Sequence, residues 1–312
     1  MENKTSAKKF DFKRFLTSDS VQSRLMISTM IIGFVVFTIY PITWTFRWAW
    51  YSYNGVPSQT HFVGWENFIT FFTKDFTYWK SWLNTILFTI CKIPLELTLA
   101  MIMALFLNRG LKGTGFFRSV YYMPSVISVV VVGLIFSNLF SYFGIINNVL
   151  AKLGITSGNV DWFSTKLGAM TVLVLGSIWN TFGINVMYLL AALANVPKEV
   201  YESGEIDGAT GVTAFFKITL PLIMSVFKVI LLLSLLGTLG TNDYIIVMTG
   251  GGPHGSTNTV MSYLTQQFVP GFASSSQPAL GYGCAMSVVT TILFAIVGIL
   301  HNIINNKVGS DI

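Results

Sequence analysis

Six apolar stretches punctuate the chain, at 25–48, 82–107, 116–140, 167–194, 219–239 and 282–304. Each is long enough to cross about 30 Å of hydrocarbon as a helix, the form that satisfies its own backbone polar groups in lipid. The pattern predicts an all-α integral membrane protein with six transmembrane helices. One connection breaks the rhythm. Between the fourth and fifth stretches, 195–217 holds Glu199, Glu202, Glu205 and Asp207, four of the thirteen acids in the chain. Pro197 suits the first turn of a helix, where its missing N–H costs nothing, and acids early in that helix favour its dipole. Val200, Gly204 and Asp207 share a face at helical spacing, Gly208 and Gly211 suit a turn, and Pro221 opens the fifth span. The loop therefore reads as a short amphipathic helix, a glycine turn and a second short helix.

Composition supports a lipid solvent. Of 312 residues, 53% are hydrophobic and 10% charged, against about 25% charged in a soluble domain. Mean hydropathy is +0.64. Cys91 and Cys284, the two cysteines, both lie in apolar runs and read as packing residues. His61, His254 and His301 are scattered, so no metal site is expected. A basic start precedes the first apolar run, but no small-residue cleavage site follows it; the first span is read as uncleaved. Phe10, Phe12, Phe15 and Leu16 stand among lysines there and suit either the inner membrane surface or a solvated tail.

Lysine and arginine set the orientation. Lys4, Lys8, Lys9, Lys13, Arg14 and Arg24 precede the first span, and Arg109, Lys112 and Arg118 follow the second, whereas 242–281 contains neither residue type. Segments 51–80 and 141–166 carry two lysines each, Lys74 with Lys80 and Lys152 with Lys166. Both termini are expected in the cytoplasm, with a cytoplasmic segment at 1–24, a transmembrane domain at 25–305 and a cytoplasmic tail at 306–312. Trp44, Trp48, Trp50, Tyr51 and Tyr53 then mark an outer interfacial belt.

Glu202-Ser203-Gly204, then Gly208 after three residues, then Ile218-Thr219-Leu220-Pro221 after nine more, resembles the EAA signature of ABC-importer permeases. Ser203 and Gly204 stand where that pattern has two alanines. The likeness extends to Pro197–Glu202, Ile206–Ala209 and Thr249–Pro253, and to Asn108-Arg109, Phe116–Arg118 and Tyr121–Pro124. Over about 25–305 the chain is similar to the carbohydrate-uptake, maltose-permease-like branch, and its Gly-Gly-Gly-Pro segment resembles the larger partner of the permease pair. The resemblance implies a bacterial inner-membrane permease subunit of an ATP-driven importer of a sugar, an oligosaccharide above all. It implies four kinds of partner: a second homologous permease, two ATPase subunits, an extracellular solute-binding protein and the lipid around them. It also implies a coupling role for Glu202, Ser203, Gly204, Asp207, Gly208, Ile218, Leu220 and Pro221, with the helix of loop 195–221 seated in a cleft of the ATPase. No phosphate-binding G-x-x-x-x-G-K-[ST] occurs in the chain, so ATP hydrolysis is expected on a partner. No cofactor and no nucleic acid are called for.

Polar residues inside spans face partners or a cavity. Ser234, Thr238 and Thr241 form a stripe on the fifth span; Ser177 and Thr181 do so on the fourth, with Trp179 and Asn180 beside them. The resemblance places such positions along the substrate path, where hydroxyls and an indole face suit a sugar; hydrogen bonding between helices is the alternative. Lys92 and Glu96, one turn apart in the second span, are read as a structural pair, with a translocation role as the alternative. Lys228 snorkels toward the cytoplasm. An importer for another solute, such as a glycerol-phosphate ester, would want a cationic pocket, and the stripes carry no arginine. A secondary transporter needs no ATPase. An intramembrane enzyme needs paired acids, a Ser/His pair or a metal cluster, which the spans do not offer.

Overall fold

The computed structural model describes residues 19–110, 112–269 and 279–309. The first lysines, Arg14, the Phe10–Leu16 cluster and residues 310–312 lie outside them. Helix α1 (Asp19–Phe34) leads through a π-turn (Val35–Ile39) into α2 (Tyr40–Trp48), and a two-stranded ribbon follows, β1 (Tyr51–Ser52) against β2 (His61–Phe62). Then come α3 (Glu66–Thr73), α4 (Phe76–Asn108), α5 (Thr114–Val126), α6 (Val129–Leu139), α7 (Ile145–Lys152) and α8 (Lys166–Ala194). The loop helix is α9 (Lys198–Ile206). After it, α10 (Gly211–Ala214) passes through a second π-turn (Phe215–Thr219) into α11 (Leu220–Leu239), followed by α12 (Asp243–Met248), α13 (Val260–Phe268) and α14 (Leu280–Gly309).

Among the described residues, five helical segments are long and apolar enough to cross a membrane: Gln22–Trp48, Phe76–Asn108, Lys166–Ala194, Gly211–Leu239 and Leu280–Ile304. The third stretch, expected to cross as one helix, is broken into two. In its place α5 and α6 meet at a bend of 95°, and a sixth crossing exists only if the two are counted as one. The cause is local. Pro124 lies inside α5, and Ile127 and Ser128 turn extended after it. The carboxamide of Asn180 on α8 then donates to the carbonyls of Pro124 and Ile127, at 2.5 and 3.5 Å, and so takes up acceptors freed by the break.

A second correction concerns the start of the fifth span. Pro221 does not begin a separate helix; Gly211–Leu239 is one helical run with a bulge. A proline in a helix clashes with the carbonyl four residues back. One residue before Pro221, the Leu220 N–H reaches back five residues to Phe215, and one residue before Pro41 the Tyr40 N–H does the same to Val35. Each π-turn gives a proline the room it needs without ending the helix.

Packing centres on α8. Its inner face meets α4 and α11 through Leu97, Val186, Leu189, Ile223 and Ile230, and meets α6 and α12 through Val132, Leu173 and Ile245. Gly183 lets α5 approach closely, since a Cβ there would collide with the Tyr121 carbonyl. A third cluster gathers Ala49, Phe71, Tyr78, Val260 and Met286 where α3 meets the ends of α2, α4, α13 and α14. Trp48 and Tyr53 of the expected belt stack with ring centroids 4.3 Å apart. By contrast, the central part of Gln22–Trp48 buries nothing against the rest of this chain.

Candidate functional site

Two regions carry the residues singled out above. The first is the loop helix α9. Pro197 is its N-cap and Glu199 lies in its first turn. Its end is a Schellman turn: the Ala209 N–H donates to the Gly204 carbonyl (2.8 Å) and the Gly208 N–H to that of Glu205 (3.0 Å). Gly208 has φ +79°, the left-handed geometry that favours glycine. The space beyond it is open, so a side chain there would strain the backbone without a clash inside this chain.

The inner face of α9 is fastened to the fifth span. Gly204 is buried, and the Ile218 δ1 methyl fills the space a Cβ would need; the Tyr201 and Thr219 hydroxyls meet at 3.2 Å. Val200 shares this side, but Asp207 does not: it is the C-cap and points into the open. Leu220 packs against the core of α4, α8 and α11, and Pro221 is exposed. The outer face is uncovered. Glu202, Ser203, Glu205 and Asp207 are exposed, and among them stands Ile206 at 87% exposure, with Val212 at 74% and Phe216 at 61% nearby. A groove of about 1120 Å³ runs from this end between α4 and α11, lined by Pro94, Met101, Arg109, Glu205, Phe216 and Met224 among others.

The second region is a polar knot in the middle of the helices. Lys92 Nζ and Glu96 Oε2 are 3.0 Å apart, both buried. Glu96 Oε1 accepts from the Thr181 hydroxyl (2.6 Å) and the Asn185 amide (2.8 Å). Lys92 donates to Thr238 Oγ1 (3.1 Å). The structure thus joins Thr181 and Thr238 through the ion pair. Ser177 is wholly buried and its hydroxyl donates to Val174 within its own helix. Thr241 lies beyond the end of α11, so the three-residue stripe on that helix shortens to Ser234 and Thr238. Trp179 is 39% exposed and Ser234 half-buried. Asn185 was missed, although it continues the Ser177, Thr181 series by one more turn of α8.

At the far end of α4, Asp75 accepts from the Tyr263 and Tyr282 hydroxyls at 2.8 and 2.7 Å and caps the helix at Tyr78 N–H. Burial, and then the hydrogen bond to Asp75, pushes the Tyr263 hydroxyl well above its ordinary value, so it remains a neutral donor. Asn84 donates to the Asn258 carbonyl and accepts from Lys166, tying the Gly250–Gly252 loop region to the second and fourth spans.

A bundle of span-length apolar helices, with a short helix held against one end and its outer face uncovered, is the architecture of a membrane-embedded domain. The chain belongs to the family of binding-protein-dependent transport system inner membrane components, which matches residues 96–309. It is 30% identical to the arabinooligosaccharides transport system permease protein AraP of Bacillus subtilis, over 95% of this chain and 92% of that one. It is 31% identical to the trehalose/maltose transport system permease protein MalF of Thermococcus litoralis, over 86% and 88%. The lactose transport system permease protein LacF of Rhizobium radiobacter is 29% identical over 90% and 93%. A bacterial ABC transporter involved in the import of the acidic polysaccharide alginate shares the fold, with a TM-score of 0.80 at 21% identity over 95% of this chain.

Proposed function

We propose that this chain is the permease subunit of an ATP-driven sugar importer, that the solute is an oligosaccharide, and that α9 is its joint to a separate ATPase. The uncovered face of α9 carries this reading. A helix that leaves Ile206 87% exposed among Glu202, Glu205 and Asp207, while its other face is fixed to the fifth span, suits a groove with apolar walls and a basic rim. Movement of such a groove would pull on α11 through Gly204 and Ile218 as one body. Two ATPases, a second permease and a solute-binding protein complete the assembly. The lysine and arginine distribution supports a cytoplasmic α9, an external Gly250–Gly252 loop and six crossings with α5 and α6 as one. Trp179, Thr181, Ser234 and Thr241 are the partly open members of the substrate path.

The named relatives support a sugar, and so does charge. Lys92, the cation in the polar knot, is already neutralised by Glu96. A phosphate ester would find no free cation in that knot. The test is uptake by the assembled complex of a panel of mono- and oligosaccharides alongside glycerol phosphate. Uptake of glycerol phosphate and of no sugar would overturn the sugar assignment.

A further inference from the structure

Lys92 is the middle residue of α4, and Pro94 stands between it and Glu96. Proline cannot donate to the Ile90 carbonyl four residues back, so α4 loses a backbone hydrogen bond in the turn that contains Lys92. The ion pair runs from that turn past Pro94 into the next, at i, i+4. Each charge also reaches another span: Glu96 takes Thr181 and Asn185 from α8, and Lys92 gives to Thr238 on α11. Three spans are therefore fastened at one depth by polar contacts.

Packing alone does not require this. Ile93, Leu97, Val186, Leu189 and Ile230 already fill the joint between the same three helices. Buried ion pairs replaced by apolar residues of similar size often leave stability unchanged or raised, and ionisable groups within a membrane are costly to keep. A directional contact of this kind does something packing does not: it favours one arrangement of the helices over others. Resting on the permease reading above, we infer that Lys92 and Glu96 are positioning residues, a lock across the Pro94 turn that holds spans two, four and five in their resting arrangement. ATP on the partner subunits then moves the spans only when the lock is released.

The experiment uses the whole importer, with permease pair and ATPases in lipid nanodiscs, and MgATP as the only added probe. The variants are Lys92→Met/Glu96→Leu, which keeps bulk and removes both charges, and the milder Thr238→Val, which cuts the arm to α11. With the lock gone and packing kept, ATPase retention stays at the wild-type value, while the melting temperature of the double variant falls modestly because the buried Asn185 amide loses its acceptor. ATP turnover without binding protein rises on the order of tenfold in the double variant, as expected when a bias of that size is removed, and by less in Thr238→Val. Wild-type turnover in both variants, with assembly intact, overturns the lock. If the double variant does not assemble, Thr238→Val decides alone: raised turnover supports the lock and wild-type turnover overturns it. A wild-type chain that retains no ATPase instead overturns the permease reading on which this rests.

Discussion

The Ile218 δ1 methyl occupies the place where a Cβ on Gly204 would stand. Fourteen positions apart in sequence, these two residues make the contact through which α9 lies flat on the π-turn before Pro221. The atom in the way is the far end of a flexible side chain, so a small addition at 204 is absorbed by a new Ile218 rotamer. Gly204→Ala is expected to keep ATPase retention and to stabilise α9 by up to about 1 kcal/mol from helix propensity. Gly204→Leu is expected to lift α9 from the fifth span and reduce ATPase retention. Co-purification and melting temperature read both; equal retention in the two would show that the contact does not set the position of α9.

Gly208 tests strain without clash. Its φ of +79° is costly for a side chain, while the space around it is open. Gly208→Asn, which tolerates left-handed geometry, is expected to couple like wild type. Gly208→Val is expected to lose roughly 1–2 kcal/mol at the turn and to couple poorly. ATP turnover with and without loaded binding protein measures the difference, and equal coupling in the two variants contradicts the strained turn.

Asn180 holds the bend between α5 and α6, and its Oδ1 also accepts from the Tyr244 hydroxyl at 2.6 Å. Asn180→Ala removes one of the two donors to the Pro124 carbonyl and the acceptor of the buried Tyr244 hydroxyl, which costs roughly 1–3 kcal/mol. The melting temperature should fall while Asn180→Gln recovers little, because the longer side chain misses the break. An unchanged melting temperature in Asn180→Ala would mean that the bend holds itself.

How far the chain could be read without coordinates follows from where each signal lies. Spans two, four, five and six are legible because their apolar runs are local, and the α9 turn because glycine spacing encodes backbone geometry directly. The bend at Pro124 was not, since proline alone permits either a kinked span or a break, and the residue that settles it, Asn180, is on another helix. Thr241 was misplaced because helical spacing was continued past Gly240, where α11 has already ended. Lys92 and Glu96 were paired correctly from their spacing, but Asn185 joins them only through the crossing of α4 and α8.

Orientation is testable by labelling in a background of Cys91→Ser and Cys284→Ala. Ser256 is a poor probe because its hydroxyl is buried, whereas His254 beside it is exposed, as are Lys198 and Glu202 on α9. His254→Cys should react with an impermeant thiol reagent added outside cells, and Lys198→Cys only after the membrane is opened. The reverse pattern contradicts the proposed topology.

The most direct test of the account is on the uncovered face of α9. The assembled importer carrying Glu202→Lys with Ile206→Asp reverses one charge and buries another in the proposed groove, and neither side chain packs against this chain's own core. The quantity to measure is the amount of ATPase subunit that co-purifies with the permease, relative to wild type, at equal permease yield. The account predicts a loss of most of the ATPase with the melting temperature of the membrane domain unchanged. Full retention, with ATP turnover still stimulated by loaded binding protein, would contradict the assignment of α9 as the joint.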